Sequence, residues 1–251
     1  LGGLLAITGE REGGPVLCGA PVVDTMGALM AGQAVVTALL HRERTGQGQR
    51  VDVSLLNATL LAHAARLSVF LATGEDQGRH GSAHPYLVPF QAFRASDGWI
   101  YVAVWVDRLW SPFCAVVGRR DLARDPRFAS NRQRLAHRDV LLPLLEPIFR
   151  ERTVKEWMVA LEAESILCSP VNRYSDLPDD PQVRASGMIV EETHPRAGRF
   201  RTLAPPTRFS ATPGAIRTPA PALGEHSDAV LAEAGLDPTE VARLRTLGVV
   251  A

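Results

Sequence analysis

The stretch APVVDTMGALMAGQAVVTALLHRERTGQGQRVDVS, residues 20–54, decides the fold. It places Asp24 in front of a long apolar run, which ends in the basic residues Arg42 and Arg44 and then Thr45-Gly46. Basic side chains in a last turn, followed by glycine, are typical of a helix C-terminus. The pattern therefore predicts one long helix from just after Asp24 to Arg44, and its apolar character predicts that this helix is buried.

Shorter elements are predicted around this helix. The glycine-rich residues 1–23 read as a loop, and the alternating residues 49–53 read as a strand. Residues 55–72 have helical spacing and end at Gly74. Residues 74–89 are rich in Gly, His and Pro, which indicates a linker or a binding loop.

The second half of the chain predicts a hairpin followed by several helices. The Asp97-Gly98 pair favours a hairpin turn within residues 90–104. Periodicity and turn signals then predict helices over these ranges: 107–118, 131–150, 153–164 and 227–247, the last with a break at 235–238. A loop with a short helix is expected over 170–190. Residues 191–222 are rich in proline and predict a return segment without a helix or a central strand.

The composition excludes several classes of protein. The chain has 251 residues, of which 46% are hydrophobic, and its 27 basic side chains balance its 27 acidic ones. Zero net charge favours neither nucleic acid nor a membrane surface as a partner. The apolar stretch 26–40 is shorter than the roughly 20 residues of a membrane span. Three distant cysteines suggest neither a disulfide framework nor a zinc site, which favours the cytoplasm.

Asp24 is the candidate catalytic residue, and the residues alone leave two readings open. A carboxylate before a helix commonly caps the free N–H groups of the first turn. The same carboxylate, between apolar residues and small ones, would be partly desolvated and held ionised by those N–H groups, as a nucleophile is. Local pattern does not decide between the two readings.

Several chemical motifs are absent or misplaced. Gly46-Gln47-Gly48 follows a predicted helix, whereas a dinucleotide-binding loop follows a strand. The sequence contains neither a G-x-S-x-G elbow nor a phosphate-binding G-x-x-x-x-G-K-[ST] loop. Nicotinamide, hydrolase and P-loop chemistry are therefore not predicted.

Larger blocks carry a family resemblance. Residues 20–24 (APVVD), the apolar helix and residues 42–54 (RERTGQGQRVDVS) resemble the most distinctive block of class III CoA-transferases, the CaiB/BaiF type to which formyl-CoA transferase belongs. Further similarity is found at these positions: His84-Pro85, Pro89-Phe90-Gln91-Ala92-Phe93, Asp125-Pro126-Arg127-Phe128 and Leu223-Gly224-Glu225-His226-Ser227. The resemblance spans essentially the whole chain and corresponds to the C-terminal two-thirds of that family.

The resemblance implies an α/β fold. It consists of part of a Rossmann-like large domain and a smaller α+β domain, without the N-terminal portion of the family. Residues 1–74 would be the C-terminal part of the large CoA-binding domain, and residues 75–190 the small domain. Residues 191–251 would be a return segment with terminal helices that packs on the large domain. The chain is then expected to begin in mid-protein.

The resemblance also implies the chemistry. Asp24 would attack an acyl-CoA thioester and carry aspartyl anhydride and aspartyl-CoA intermediates, so that CoA moves to a free carboxylic acid. Gly81, Ser82, Ala83 and His84 would bind substrate, in the position of a glycine-rich loop of which only Gly81 is glycine here. His84 either lines the acyl pocket or packs in the loop. The resemblance implies a coenzyme A thioester as substrate, with no metal and no permanently bound cofactor.

The expected assembly is a homodimer or a pairing with an N-terminal polypeptide.

Two alternative functions remain open at this stage. A 2-methylacyl-CoA racemase would use the same Asp as acid or base together with a His upstream of Leu1. An inactive, truncated or accessory chain would keep Asp24 only as a helix cap.

Overall fold

The computed structural model describes residues 2–250. The chain divides into two compact units, Leu1–Val171 and Asn172–Ala251. The division predicted from the sequence, with boundaries at residues 74 and 190, does not coincide with these units and stays a prediction about the family architecture.

Three helices follow a short 3₁₀ turn, Leu4–Ile7, at the start of the first unit. They are α1 (Val22–Thr45), α2 (Leu55–Ala62) and α3 (Ala64–Thr73). Gly46 and Gly74 end α1 and α3 in left-handed conformations, with φ of 73° and 74°. Glycine adopts this conformation without a steric penalty, and both predicted stops are confirmed.

Helix α1 contradicts the prediction of a buried helix. Gly27 is its single buried residue, whereas Leu29 and Val36 are 66% and 67% exposed. Within the described residues α1 packs mainly on α2, and this contact covers only one side of it. At 24 residues α1 is also long and apolar enough to cross a membrane, as are α2 and α3 together across a bend of 78°. Helices from the cores of globular proteins satisfy the same criterion, so it assigns no location.

Two other local predictions for this region are wrong. Residues 49–53 form no strand, because no described segment pairs with them. The predicted helix 55–72 is broken at His63, which leaves the helical conformation with ψ of 26°. Nε2 of His63 lies 2.6 Å from the carbonyl oxygen of Gly2. This contact joins the residue between the two helices to the N-terminal segment.

A three-stranded antiparallel sheet organises the rest of the first unit. Strands β1 (Phe90–Arg94) and β2 (Trp99–Ala103) form the predicted hairpin, and β3 (Leu167–Pro170) pairs with the other edge of β2. The turn closes through the Ala95 N–H, which donates to the Gly98 carbonyl at 2.9 Å. Strand β3 was not predicted, since four residues beside a proline give little periodic signal.

The helices that cover this sheet agree with the predicted positions, with shorter bounds. They are α4 (Trp110–Val116), α5 (Asn131–Ala136), α6 (Arg138–Phe149) and α7 (Val154–Ala163). The predicted helix 131–150 is interrupted at His137, so it forms α5 and α6. Thr153 and Glu156 form a reciprocal capping box at the start of α7.

Aromatic rings fill the core between sheet and helices. Phe149 stacks on Phe93 with ring centroids 4.2 Å apart and lies 4.7 Å from the ring of Trp157. The indole N–H of Trp157 donates to the Phe149 carbonyl at 2.8 Å, so its polar edge is satisfied. This packing makes the sheet and helices one hydrophobic core.

A charged side chain, Arg134 of α5, is fully buried in this core. Its guanidinium donates to the carbonyls of Val88 (2.8 Å) and Phe128 (3.1 Å) and to the Asp107 carboxylate (2.7 Å). It also lies 4.8 Å from the ring centroid of Trp110. Burial of a cation is tolerable because these contacts replace its water.

The described residues of the second unit form five helices and strands besides a 3₁₀ turn, Leu177–Asp179. They are α8 (Pro181–Ser186), β4 (Ile189–His194), β5 (Gly198–Leu203), α9 (Ser227–Glu233) and α10 (Pro238–Thr246). Helix α8 and the broken helical tail were predicted. The hairpin of β4 and β5 was not, because proline was taken to exclude strands, whereas Pro195 lies in the turn between them.

We predict that Arg134→Met lowers the free energy of unfolding of the first unit by about 3 kcal/mol. The substitution keeps the volume but leaves the carbonyls of Val88 and Phe128 without a donor, and each unsatisfied buried acceptor costs about 1–3 kcal/mol. Urea denaturation measures the change. The matched control is Arg132→Met on the exposed side of the same helix, expected to change stability by less than about 0.5 kcal/mol. Equal effects of the two substitutions would contradict the structural role of Arg134.

Candidate active site

Asp24 lies inside the first turn of α1, because the helix begins at Val22, three residues before the predicted start. Pro21 precedes the helix and offers no side-chain cap. The Asp24 carboxylate accepts no hydrogen bond from any described residue. It is therefore not a helix cap, and it stands unbonded near the positive end of the helix dipole.

The environment of Asp24 differs from the predicted one in solvation. The residue is exposed in the described chain, whereas the sequence predicted a partly desolvated carboxylate. Its first-turn neighbours Val22 and Val23 are half-buried. Since helix α1 is covered mainly by α2, little of the described chain can remove water from Asp24.

A cavity of about 660 Å³ opens beside Asp24. Its wall consists of residues 2–6, 17–18, 20–24, 55–56 and 59, and most of these side chains are apolar. The polar groups on this wall include the Asp24 carboxylate, the Cys18 thiol and the Thr59 hydroxyl. An apolar cavity with a few polar groups is the usual form of a small-molecule site.

Helices α1 and α2 approach closely at the base of this region. A Cβ atom on Gly27 would lie 2.7 Å from Cδ2 of Leu55, which is shorter than van der Waals contact. Glycine at this position lets α2 bring Leu55 and Leu56 to the cavity next to Asp24. The space that Gly27 leaves is therefore occupied by the side chain of Leu55.

The sequence did not identify the other wall of the cavity. The segment 2–6 and the residues Leu17 and Cys18 were read only as part of a loop, and Thr59 as a helical position. No local signal marks them, because their common location depends on the 3₁₀ turn folding back over α2.

The loop Gly81, Ser82, Ala83 and His84 does not line the cavity at Asp24. Its residues pack on the hairpin and on the N-terminal loop. The Gly81 N–H donates to the Gly9 carbonyl at 2.8 Å. The Ser82 hydroxyl accepts from the Ala92 N–H at 3.2 Å, and the Ser82 carbonyl accepts from the Tyr101 hydroxyl at 3.0 Å. A role of these four residues in substrate binding stays a prediction.

His84 packs against aromatic neighbours of its own loop and hairpin. Its ring stacks on Phe90 at 5.0 Å, and its Nδ1 accepts from the Tyr86 N–H at 3.1 Å. Burial, with the nearby cation Arg66, lowers the pKa of His84 below its usual value. The ring is therefore neutral near pH 7 and carries its proton on Nε2.

The described residues include no group of three His, Cys, Asp or Glu side chains that could hold a metal ion. The predicted independence from metals and permanent cofactors stays a prediction.

The fold defines the class of the protein. A solved structure of a CAIB/BAIF family protein from Brucella suis superimposes with a TM-score of 0.78 at 31% identity, over 92% of this chain and 60% of that one. The architecture is thus a class III CoA-transferase fold, as the sequence predicted. Residues 1–227 match the sequence profile of CoA-transferase family III, and the chain belongs to this family.

Two curated relatives show the range of this similarity. An acyl-CoA transferase from Fusarium pseudograminearum is 32% identical over 250 residues, which are 99% of this chain and 55% of the relative. The succinyl-CoA:glutarate CoA-transferase of Mus musculus is 29% identical over 93% of this chain and 53% of the relative. The chain spans a little over half the length of these relatives.

We predict that Cys18 is alkylated before the other two cysteines. Cys114 is buried, and burial raises the pKa of its thiol to about 12. Burial, with the nearby Glu162, raises the pKa of the Cys168 thiol to about 11. A raised thiol pKa lowers the reactive thiolate fraction at pH 8. Mass spectrometry of peptides after timed N-ethylmaleimide treatment should show label on Cys18 first. Equal rates at Cys18 and Cys114 would contradict the burial of Cys114 in the core.

Proposed function

We propose that this protein is a CoA-transferase that moves CoA from an acyl-CoA to a free carboxylic acid, with Asp24 as the nucleophile. The observation that carries the proposal is the unbonded Asp24 carboxylate in the first turn of α1, beside the cavity, in a chain of CoA-transferase family III. A carboxylate that capped the helix would have its lone pairs engaged, whereas this one is available for attack.

The proposed reaction begins with attack by an Asp24 oxygen on the thioester carbonyl. The C–S bond breaks, CoA leaves as the thiolate, and a mixed anhydride forms on Asp24. The thiolate then attacks the Asp24 carbonyl of the anhydride, which releases the donor acid as its carboxylate and leaves an aspartyl-CoA thioester.

The second half repeats these steps with the acceptor acid. Its carboxylate attacks the aspartyl-CoA carbonyl and displaces the CoA thiolate, which gives a new anhydride. The thiolate attacks the acceptor carbonyl of this anhydride, so that a new acyl-CoA leaves and the Asp24 carboxylate is restored. Each step exchanges one acyl bond for another and requires no redox partner.

The start of α1 supports this chemistry through its backbone. The first N–H groups of a helix have no partner within the helix, and they favour negative charge nearby. These groups can stabilise the oxyanion of each tetrahedral intermediate formed at Asp24. The apolar wall at Leu55 and Leu56 would receive the acyl group. We further propose that Gly81, Ser82, Ala83 and His84 contact substrate in the assembled protein.

The remaining parts of the proposal concern the assembly. The expected partners are an acyl-CoA and a carboxylic acid, in the cytoplasm, without nucleic acid or a membrane. A homodimer, or a pairing with another polypeptide, is supported by the uncovered apolar face of α1. Protein interfaces commonly bury such faces.

We predict that incubation with succinyl-CoA traps an adduct on Asp24. Hydroxylamine converts an aspartyl-CoA thioester to a hydroxamate, which peptide mass spectrometry locates. Asp24→Ala should remove the adduct and lower the exchange of labelled succinate into succinyl-CoA by at least about 10³-fold, since the loss of a covalent nucleophile has effects of this order or greater.

The matched control is Asp52→Ala. This exposed carboxylate is paired with Arg50 and lies outside the cavity, so the variant should retain both adduct and exchange. Failure of the folded wild-type chain to exchange label would contradict the proposal. Incorporation of deuterium at the α-carbon of a 2-methylacyl-CoA, without exchange, would identify a racemase instead.

A further inference from the structure

A second cluster of functional groups lies where three segments of the first unit meet. The Gly81 N–H donates to the Gly9 carbonyl, which brings His80 beside the N-terminal loop. Arg11 in that loop pairs with Asp139 at 3.0 Å and so lies next to Arg138 at the start of α6. Arg66 of α3 donates to the Gly78 carbonyl at 2.7 Å. These bonds bring His80, Arg11, Arg66 and Arg138 into one neighbourhood, which we call the arginine cluster.

Arg138 has no hydrogen-bond or ion-pair partner among residues 2–250, although it is half-buried. A guanidinium carries five N–H donors, and a half-buried one usually finds acceptors for them. Burial, with the nearby cation Arg11, lowers the pKa of Arg138 below its usual value, against the opposing effect of Asp139. The site is therefore short of negative charge.

The imidazole of His80 is a second group in this neighbourhood with an unmet hydrogen bond. Its Nε2 is buried and has no hydrogen-bond partner among the described residues. The pKa of His80 is lowered, mainly by burial and further by the charges of Arg138, Arg66 and Arg11. A hydrogen bond with the Gln77 backbone acts in the opposite direction. A histidine that is opposed by three cations marks a region of strongly positive potential.

The charges around the cluster do not balance. Arg66 donates to the carbonyls of Gly78 and Ile7 and to the side-chain amide oxygen of Gln77. Arg79 donates to the carbonyls of Glu10 and Gly13. All of these acceptors are neutral and offset no positive charge. The carboxylates in the neighbourhood are Asp139, which is paired with Arg11, Glu10, which lies against Gly81, and Asp76, which accepts from the Gly78 N–H and lines a cavity with Arg66. The three arginines of the cluster and Arg79 thus face three carboxylates, none of which is bonded to Arg138.

We propose that the arginine cluster binds a small oxyanion, with the Arg138 guanidinium as its principal donor. The chemistry fits a carboxylate or a phosphate group, since both accept two parallel N–H bonds from one guanidinium. The bound anion would supply the acceptors that Arg138 lacks and would offset the field of Arg11 and Arg66. His80 would respond through that field, without direct contact. The inference does not rest on the proposed function.

The test uses isothermal titration calorimetry on the intact chain, with succinate, inorganic phosphate and coenzyme A as separate probes. We expect Arg138→Gln to weaken binding of the effective probe by about tenfold or more, because a charge-assisted pair is lost. Arg138→Lys keeps the positive charge but loses the two parallel N–H donors of the guanidinium. Its affinity for the probe should therefore lie between those of the wild type and Arg138→Gln. The matched control, Arg132→Gln, removes an exposed arginine of the preceding helix and should leave binding unchanged.

The probes distinguish the source of the oxyanion. Binding of succinate that depends on Arg138 assigns the site to a free carboxylic acid, whereas binding of phosphate and coenzyme A alone assigns it to phosphate groups. The Asp24→Ala variant should still bind whichever probe the wild type binds. A failure of anion binding can therefore be distinguished from a failure of the CoA-transferase reaction.

Nuclear magnetic resonance of His80 gives a readout that misfolding does not imitate. The pKa of His80 should rise when the probe is added to the wild type and stay constant in folded Arg138→Gln. Absence of binding by all three probes, or equal weakening by Arg138→Gln and Arg132→Gln, would overturn the proposal.

Discussion

The buried guanidinium of Arg134 is the interaction on which the arrangement of the first unit depends. Its donors reach the carbonyl of Val88, just before the hairpin, the carbonyl of Phe128, and the Asp107 carboxylate at the start of the helical layer. Asn131, one turn earlier on α5, receives the Val88 N–H and donates to the Tyr86 carbonyl. A desolvated cation tolerates few alternative geometries. The loop that carries residues 80–88 is consequently held to the core at its C-terminal end.

The two proposed sites use different parts of this framework. Asp24 stands on α1, whose surroundings in the described chain are apolar and open. The arginine cluster stands on the loop next to Arg134 and on α6, where the aromatic core fixes the backbone. Positive charge gathered around His80 is costly to hold without an anion, whereas a lone carboxylate at a helix N-terminus is stable without a partner. The Asp24 site is thus built around a reactive group, and the arginine cluster around a missing ligand charge.

Local chemistry explains which features the sequence predicted. Gly46 and Gly74 mark helix ends because left-handed conformations exclude most other residues. Features that depend on distant neighbours were missed. The exposure of α1 and the absence of a strand at 49–53 are properties of packing and pairing. Asp24 was found through family resemblance and helix position, whereas His80 and Arg138 are 58 residues apart and gave no common signal.

The sparse covering of α1 also determines how cooperatively the first unit holds together. The amide hydrogens of β1, β2 and the helices around Phe149 are protected by a packed core, so they exchange with solvent only on large-scale unfolding. Helix α1 contacts the rest of the unit mainly at Gly27, where it packs against α2. It can therefore unwind without disturbing that core. The backbone N–H groups beside Asp24 therefore belong to the part of the unit that opens most readily. Anything that covers α1 would make the turn that carries Asp24 and the core a single cooperative unit.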